Sequence, residues 1–168
     1  MTWNHIVNKG SGGWWIIQNN QPNPNLANTF CNAAPDVDDW ATLSDGKTSG
    51  WPTPLKRTVK ISPPFFEVEL PVIDVKWRLN YQYGNQYRNK GMFLKTIWTE
   101  VLNCDVQQGF DVSVGFWCSE PWNDSPDPNW PAAVINLGIT ATITTQKWQK
   151  TIDRYRYNLN YNGSLVVQ

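Results

Sequence analysis

Apolar and polar residues alternate with period two in at least four separate stretches, and Gly, Pro and Asn punctuate them. No stretch carries the 3.6-residue period of an amphipathic helix. Together these observations predict an all-β fold, a single-domain antiparallel β-sandwich or closed barrel of roughly eight to ten strands with long Asn/Pro/Trp-rich loops. The 168 residues fit one domain, residues 1–168, large enough to bury its own core.

Trp3, His5 and Val7 open the chain as a presumed first strand. Gly10-Ser11-Gly12-Gly13 then leads into Trp14-Trp15-Ile16-Ile17, which reads as a second strand, since a phosphate-binding loop delivers its glycines to a helix. Gln18–Asn32 is rich in Asn and Pro and reads as a long loop. A helical turn or two is expected only around Asp38–Leu43, capped by Asp36 or Asp38. Phe66, Val68 and Leu70 alternate with Glu67 and Glu69 between Pro63-Pro64 and Pro71, which predicts a short, non-central strand.

The clearest pattern is Ile73, Val75, Trp77, Leu79, Tyr81 and Tyr83 against Asp74, Lys76, Arg78, Asn80 and Gln82. It predicts a half-buried strand with one wet face. Tyr83-Gly84-Asn85 and Asn89-Lys90-Gly91 supply residues that tolerate positive φ, so a turn region returns the chain through Met92–Leu102. Val112, Val114, Phe116 and Cys118 mark another strand, and Ile135, Leu137, Ile139, Ala141 and Ile143 one more, with Ser119–Pro131 a long loop between them. Tyr155, Tyr157, Leu159 and Tyr161 form the last long strand, and Asn162-Gly163 turns it into Leu165-Val166-Val167.

Composition limits the function. The formal net charge is zero, with 14 basic and 14 acidic residues, so the field that drives binding to a phosphate backbone is missing and no nucleic-acid partner is expected. Arg154 and Arg156 alternate with tyrosines, but period two sends the cations and the rings to opposite faces. Mean hydropathy is −0.49, which excludes a spanning chain, and no transmembrane segment is read. No basic stretch followed by an apolar run opens the chain, so a cytoplasmic protein, or one released without a secretory signal, is expected. Cys31, Cys104 and Cys118 read as three reduced, partly buried thiols. A Cys104–Cys118 bridge across a hairpin is the alternative, and it asks for an oxidising compartment.

No nucleophile-elbow, P-loop, zinc-peptidase or dinucleotide motif occurs, and His5 is the single imidazole. No enzyme is expected and no catalytic residue is named. Paired carboxylates of a glycosidase, drawn from Glu67, Glu69, Glu120, Asp124 and Asp127, are the least favoured reading. No cofactor is expected. The oxygen donors of Asp36-Val37-Asp38-Asp39 and Asp124-Ser125-Pro126-Asp127 admit a loop-bound calcium only as an alternative, because turn acids ordinarily solvate turns.

The 11 tryptophans carry the functional argument. Trp77, Trp98 and Trp117 fall within strands and read as core burial or sheet packing. Trp40, Trp51, Trp122 and Trp130 fall beside Asp, Asn, Gly and Pro in predicted loops. There an indole offers a flat apolar platform with hydrogen-bonding neighbours, the chemistry that stacks a sugar ring and holds its hydroxyls. The ligand site expected is therefore Trp40, Trp51, Trp122, Asp124, Asp127 and Trp130. Its partner is a carbohydrate or a glycan-bearing membrane surface, bound by a lectin-like protein or the target-binding part of a pore-forming toxin. The alternative is a structural subunit of a virus, phage or other self-assembling particle, with the rings as interface anchors in a homo-oligomer. The composition is similar to that of small aromatic-rich β-sandwich lectins and cytolysins, a likeness that no motif carries and that assigns no function.

Overall fold

The computed structural model describes residues 3, 5–10, 14–18, 21–24, 30–61, 67–145 and 150–168. In chain order the strands are β1 (Ile6–Val7), β2 (Trp14–Gln18), β3 (Gln21–Pro24), β4 (Phe30–Pro35), β5 (Lys47–Ile61), β6 (Val68–Tyr87), β7 (Lys90–Val106), β8 (Phe110–Cys118), β9 (Trp122–Asn123), β10 (Ala133–Thr145), β11 (Lys150–Asn160) and β12 (Leu165–Val167). They form two antiparallel sheets, one ordered β1-β4-β7-β6-β5 and the other β12-β11-β10-β8-β2-β3, with β9 added alongside β10. Each sheet has two distinct edge strands, so the closed-barrel alternative is corrected to a pair of open sheets.

Alternation drives the arrangement. Ile73, Val75, Trp77, Leu79 and Tyr81 of β6 are buried on one face, as are Val112, Val114 and Phe116 of β8 and Ile135, Leu137, Ile139, Ala141 and Ile143 of β10. These faces merge in one apolar cluster. Side-chain contacts join the sheets across it. Trp77 of β6 meets Tyr155 of β11 edge to face at 5.4 Å, the Thr53 and Tyr157 hydroxyls share a hydrogen bond of 3.2 Å, and the Tyr81 hydroxyl donates to the Gly163 carbonyl at 3.0 Å.

Several expectations are revised. The β6–β7 hairpin turns at Arg88 and Asn89, with φ of 49° and 60°, the pair of positive values that a two-residue turn matching strand twist requires. Gly84 does not turn the chain. It sits inside β6 at φ 66°, where the register slips against β7, as a bulge residue does. Val68 and Leu70 do not form a short strand of their own but begin β6, which runs through Pro71. Proline is tolerated there because the ladder to β7 starts only at Ile73 and the Pro71 stretch pairs with β5 alone. Pro63, Pro64 and Phe66 lie outside the described residues, as do Ser11, Gly12 and Gly13. Gln18–Asn32 is not simply a loop, since it contains β3 and the start of β4. The expected helical turn is a 3-10 turn at Trp40–Thr42 preceded by Asp39, with no side-chain cap from Asp36 or Asp38. His5 precedes β1 rather than joining it, exposed and 3.8 Å from Asp36.

The cysteine expectation is overturned. Cys31 of β4 and Cys118 of β8 form a disulfide between the two sheets, closing a sequence separation of 87 residues. Both side chains point into the space between the sheets, which the hairpin pairing of Cys104 with Cys118 would not achieve. Cys104 is free and partly buried on β7, where burial, then the charge of Asp105, pushes its thiol above the ordinary range.

Two outcomes follow from this geometry. Replacing both Cys31 and Cys118 by Ser lowers unfolding stability by about 4.5 kcal/mol in the chain-entropy picture of so long a loop. The check is the urea midpoint of the variant against the oxidised parent, and equal midpoints would contradict the bridge. Because its folded pKa is raised, Cys104 is less thiolate at pH 8 than a free cysteine, so iodoacetamide labels it more slowly than a cysteine peptide until urea unfolds the chain.

Candidate functional site

The outer face of the seven-stranded sheet carries a row of side chains that the strand pattern itself sends there. In β8 the residues at 112, 114 and 116 face inward, so Trp117 between Phe116 and Cys118 faces out. In β10 the opposite phase holds Asn136, Gly138, Thr140 and Thr142, polar or small as a wet face demands. Directly paired residues of an antiparallel ladder project to the same side. Trp117 pairs with Gly138 and Trp122 with Val134, so both indoles stand on the outer side, about 13 Å apart along β10 at the usual strand rise.

Gly138 fixes how Trp117 lies. A Cβ at that position would come within 2.0–2.3 Å of indole atoms, so the ring rests against the backbone in space that only glycine leaves. Between the indoles, Asn136 accepts a 3.0 Å hydrogen bond from the Asn158 amide at its Oδ1. Trp117 is 44% exposed, Trp122 39% and Trp130 41%. Arg154 and Arg156 project to this side opposite Thr140 and Gly138, while Tyr157 is buried on the other.

The chain between β8 and β10 is held by short side-chain bonds to its own backbone. Asn123 Oδ1 accepts from the Ser125 amide at 3.0 Å and the Ala132 amide at 2.9 Å, which ties the two ends of the loop together. Ser125 Oγ accepts from the Asp127 amide at 3.2 Å, and Asp127 Oδ1 from the Asn129 amide at 2.8 Å. The Met92 amide donates to the Pro131 carbonyl at 2.8 Å and so pins the loop to β7 of the other sheet. This is the Asn/Asp/Ser turn chemistry that the composition of 119–131 announces.

Four of the six expected ligand residues, Trp122, Asp124, Asp127 and Trp130, therefore share one ordered loop. The other two do not join them. Trp51 is not in a loop but in β5, the edge strand of the five-stranded sheet, and 41% exposed. Trp40 is half-buried in the 3-10 turn, stacked on Phe30 at 6.4 Å and packed against the core. Of the three strand tryptophans, Trp77 takes the core position, at 1% exposure, whereas Trp98 and Trp117 stand on outer faces, Trp117 packed on the sheet over Gly138. The signal for Trp117 was in the sequence: it falls out of phase with the apolar series on either side of it.

Glu69 lies at the start of β6 and Glu67 immediately before it, on the sheet that does not carry the loop of Glu120, Asp124 and Asp127. Among the described residues no group of three or more His, Cys, Asp or Glu is gathered as metal ligands. Asp36 instead lies 3.5 Å from Lys9. A cleft of about 330 Å³ at the β6–β7 turn is lined by Trp3, Val37, Tyr87, Arg88 and Lys90. Its cations are already engaged, Arg88 with Asp39 at 3.9 Å and Lys90 over the Trp3 ring at 5.5 Å. Burial, and then a hydrogen bond with Asp39, raises the Tyr87 hydroxyl above its ordinary pKa.

Comparison with protein-family models, curated proteins and solved structures finds no match. No helix among the described residues is long and apolar enough to cross a membrane.

Asn123→Ala removes the acceptor of two backbone amides and costs about 1–2 kcal/mol. Amide exchange at Ser125 and Ala132 rises in that variant while exchange in β10 does not. In Gly138→Val the indole of Trp117 is lifted from the sheet, which acrylamide quenching reads as increased accessibility of that ring.

Proposed function

We propose that this chain is a non-enzymatic, sandwich-type binding protein that holds a carbohydrate, free or on a membrane surface, along the outer face of its seven-stranded sheet. The observation that carries the reading is the row Trp117, Asn136, Trp122, with Trp130 on the adjoining loop. Aromatic platforms separated by an amide suit a ligand of repeated rings, each with an apolar face and an edge of hydroxyls. Trp117 and Trp122 stack the rings, and Asp124 accepts hydroxyl hydrogens at the loop. Asp127 chiefly shapes the loop, since one of its oxygens already accepts a backbone amide. A preformed platform loses little freedom on binding, which favours affinity.

The Cys31–Cys118 disulfide supports release into an oxidising compartment over life in a reducing cytoplasm. A second reading, self-assembly, draws on one observation: β12 is an edge strand with Val166 54% and Val167 60% exposed, open to pairing with another chain. Concentration-dependent size-exclusion behaviour, lost on Val166→Lys, would favour it.

The test of the carbohydrate reading is tryptophan emission during titration with neutral oligosaccharides and with glycolipid liposomes. Saturable change is expected, and Trp117→Ala or Trp122→Ala weakens binding about tenfold or more, the equivalent of 1.4 kcal/mol. A folded protein that responds to no glycan, or whose response survives both substitutions, sinks the proposal.

A further inference from the structure

The outer face of the other sheet holds a second, differently charged groove. It is a shallow cavity of about 500 Å³ whose lining includes Thr48, Gly50, Lys76, Arg78, Asn80 and Leu102. Period two sends 76, 78 and 80 to the wet side of β6, and β5 lies alongside them, with Gly50 paired to Asn80 and Pro52 to Arg78. The opening exists because Gly50 has no side chain: a Cβ there would meet Arg78 Cδ at 2.8 Å and Asn80 Oδ1 at 3.1 Å.

Asn80 is the anomaly. It is only 8% exposed, and its Nδ2 is buried with no hydrogen-bond acceptor among the described residues. Such a donor is expensive to leave unmade, and buried unsatisfied groups in folded proteins call for an explanation. Arg78 cannot serve it, because a guanidinium only donates; its Nε and Nη2 both donate to Glu100 Oε1, the former at 2.8 Å. Nor does the groove balance its charge. Arg78 is neutralised by Glu100, and Lys56 and Asp74 stand 3.9 Å apart further along, but Lys76 has no carboxylate within 4 Å among the described residues. With Nδ2 shut off from solvent, it is Asn80 Oδ1 that borders the opening, so the floor offers an amide oxygen at one end and an uncompensated ammonium at the other, with the hydroxyl of Thr48 and the apolar Pro52 and Leu102 beside them.

We infer that this groove binds an acidic oligosaccharide of at least two rings, its carboxylate on Lys76 and a ring hydroxyl donating to Asn80 Oδ1. Lys76 and Asn80 are four residues apart on one strand, roughly 13 Å at the usual rise, too far for one small anion to reach both. The open shape suits a chain lying along the sheet, and Pro52 and Leu102 suit the C–H faces of sugar rings. The inference deepens the carbohydrate reading but uses a different sheet, so the two can fail separately.

The experiment is titration of the full chain, followed by amide chemical shifts and calorimetry, with a uronic-acid-containing disaccharide. The same disaccharide with its carboxyl reduced to the alcohol, and inorganic phosphate, are parallel arms. Binding of the acidic disaccharide is expected, with shifts at β5 and β6, at least tenfold weaker binding by the reduced form, and weakening as salt rises. Lys76→Gln, an exposed change that leaves the fold intact by circular dichroism, reduces affinity about tenfold, and Gly50→Val, which fills the opening, abolishes it. The shifts at β5 and β6 persist in Trp122→Ala, whatever that change does on the other sheet. Equal binding by inorganic phosphate, equal binding by Lys76→Gln, no binding at all, or loss of the β5 and β6 shifts in Trp122→Ala overturns the groove. In that last case the aromatic row on the opposite sheet still stands.

Discussion

Everything in this molecule depends on holding two open sheets face to face, and one covalent bond does so where side-chain packing begins. Cys31 and Cys118 lie on β4 and β8, interior strands of their sheets, and cross-link them directly. On the side of β5, β6 and β11 the join is non-covalent: Trp77 against Tyr155, and Thr53 with Tyr157. The two joins differ in kind. The disulfide acts chiefly by limiting the unfolded chain, whereas the aromatic contact acts through area removed from water. Burial holds the Tyr157 hydroxyl above its ordinary pKa, with the Thr53 bond a smaller opposing effect, so this contact contributes fully below the unfolded value of 10.0 and fades as pH rises through the higher folded one.

That division of labour explains what becomes of so many tryptophans. Trp77 is spent on the core. Trp98, Trp117, Trp122 and Trp130 lie outside it, because the inward phases of β6, β8 and β10 are already filled by aliphatic residues together with Trp77, Tyr81 and Phe116. An indole left outside on a sheet exposes apolar surface that folding does not require. At Trp117 the cost is partly offset by the glycine beneath it, which lets the ring cover backbone. A ring so seated is oriented before any ligand arrives.

Much of this was legible in the sequence because period two is a property of the chain itself. β8 and β10 run where the alternation places them, while β6 extends beyond Ile73–Tyr83 at both ends and β11 stops at Asn160, leaving Tyr161 in the turn. What the sequence did not yield depends on long-range pairing. The strand from Lys47 to Ile61 is broken up by Gly50, Pro52 and Pro54, and its extension comes from partnership with β6 rather than from its own residues. The disulfide joins residues whose approach only sheet packing creates. Phase alone assigns Trp117 to the wet side, but not Trp98, which shares its phase with the buried Leu94 and is turned outward where the register of β7 slips against its neighbours. For the residues expected to hold a ligand, the loop around Trp122 and Trp130 could be read from its turn chemistry, but the separation of Trp40 and Trp51 from it could not.

The two outer faces are opposite answers to one problem. A sheet that buries one side must make its other side soluble, and ordinary mixed charge would suffice. On the seven-stranded sheet the wet phase of β10 is instead uncharged, Asn136, Gly138, Thr140 and Thr142, with indoles placed across it. On the five-stranded sheet the wet phase of β6 is charged, yet its cations are unevenly matched, and a glycine opposite Asn80 keeps the surface open where a side chain would close it. Neither choice improves packing of the core, since all these residues lie outside it. Burial of Asn80 without an acceptor and exposure of Trp117 on a glycine both run against the stability of the isolated chain. Features that folding does not reward, gathered on the outer faces of the two sheets, are what the proposed recognition would use.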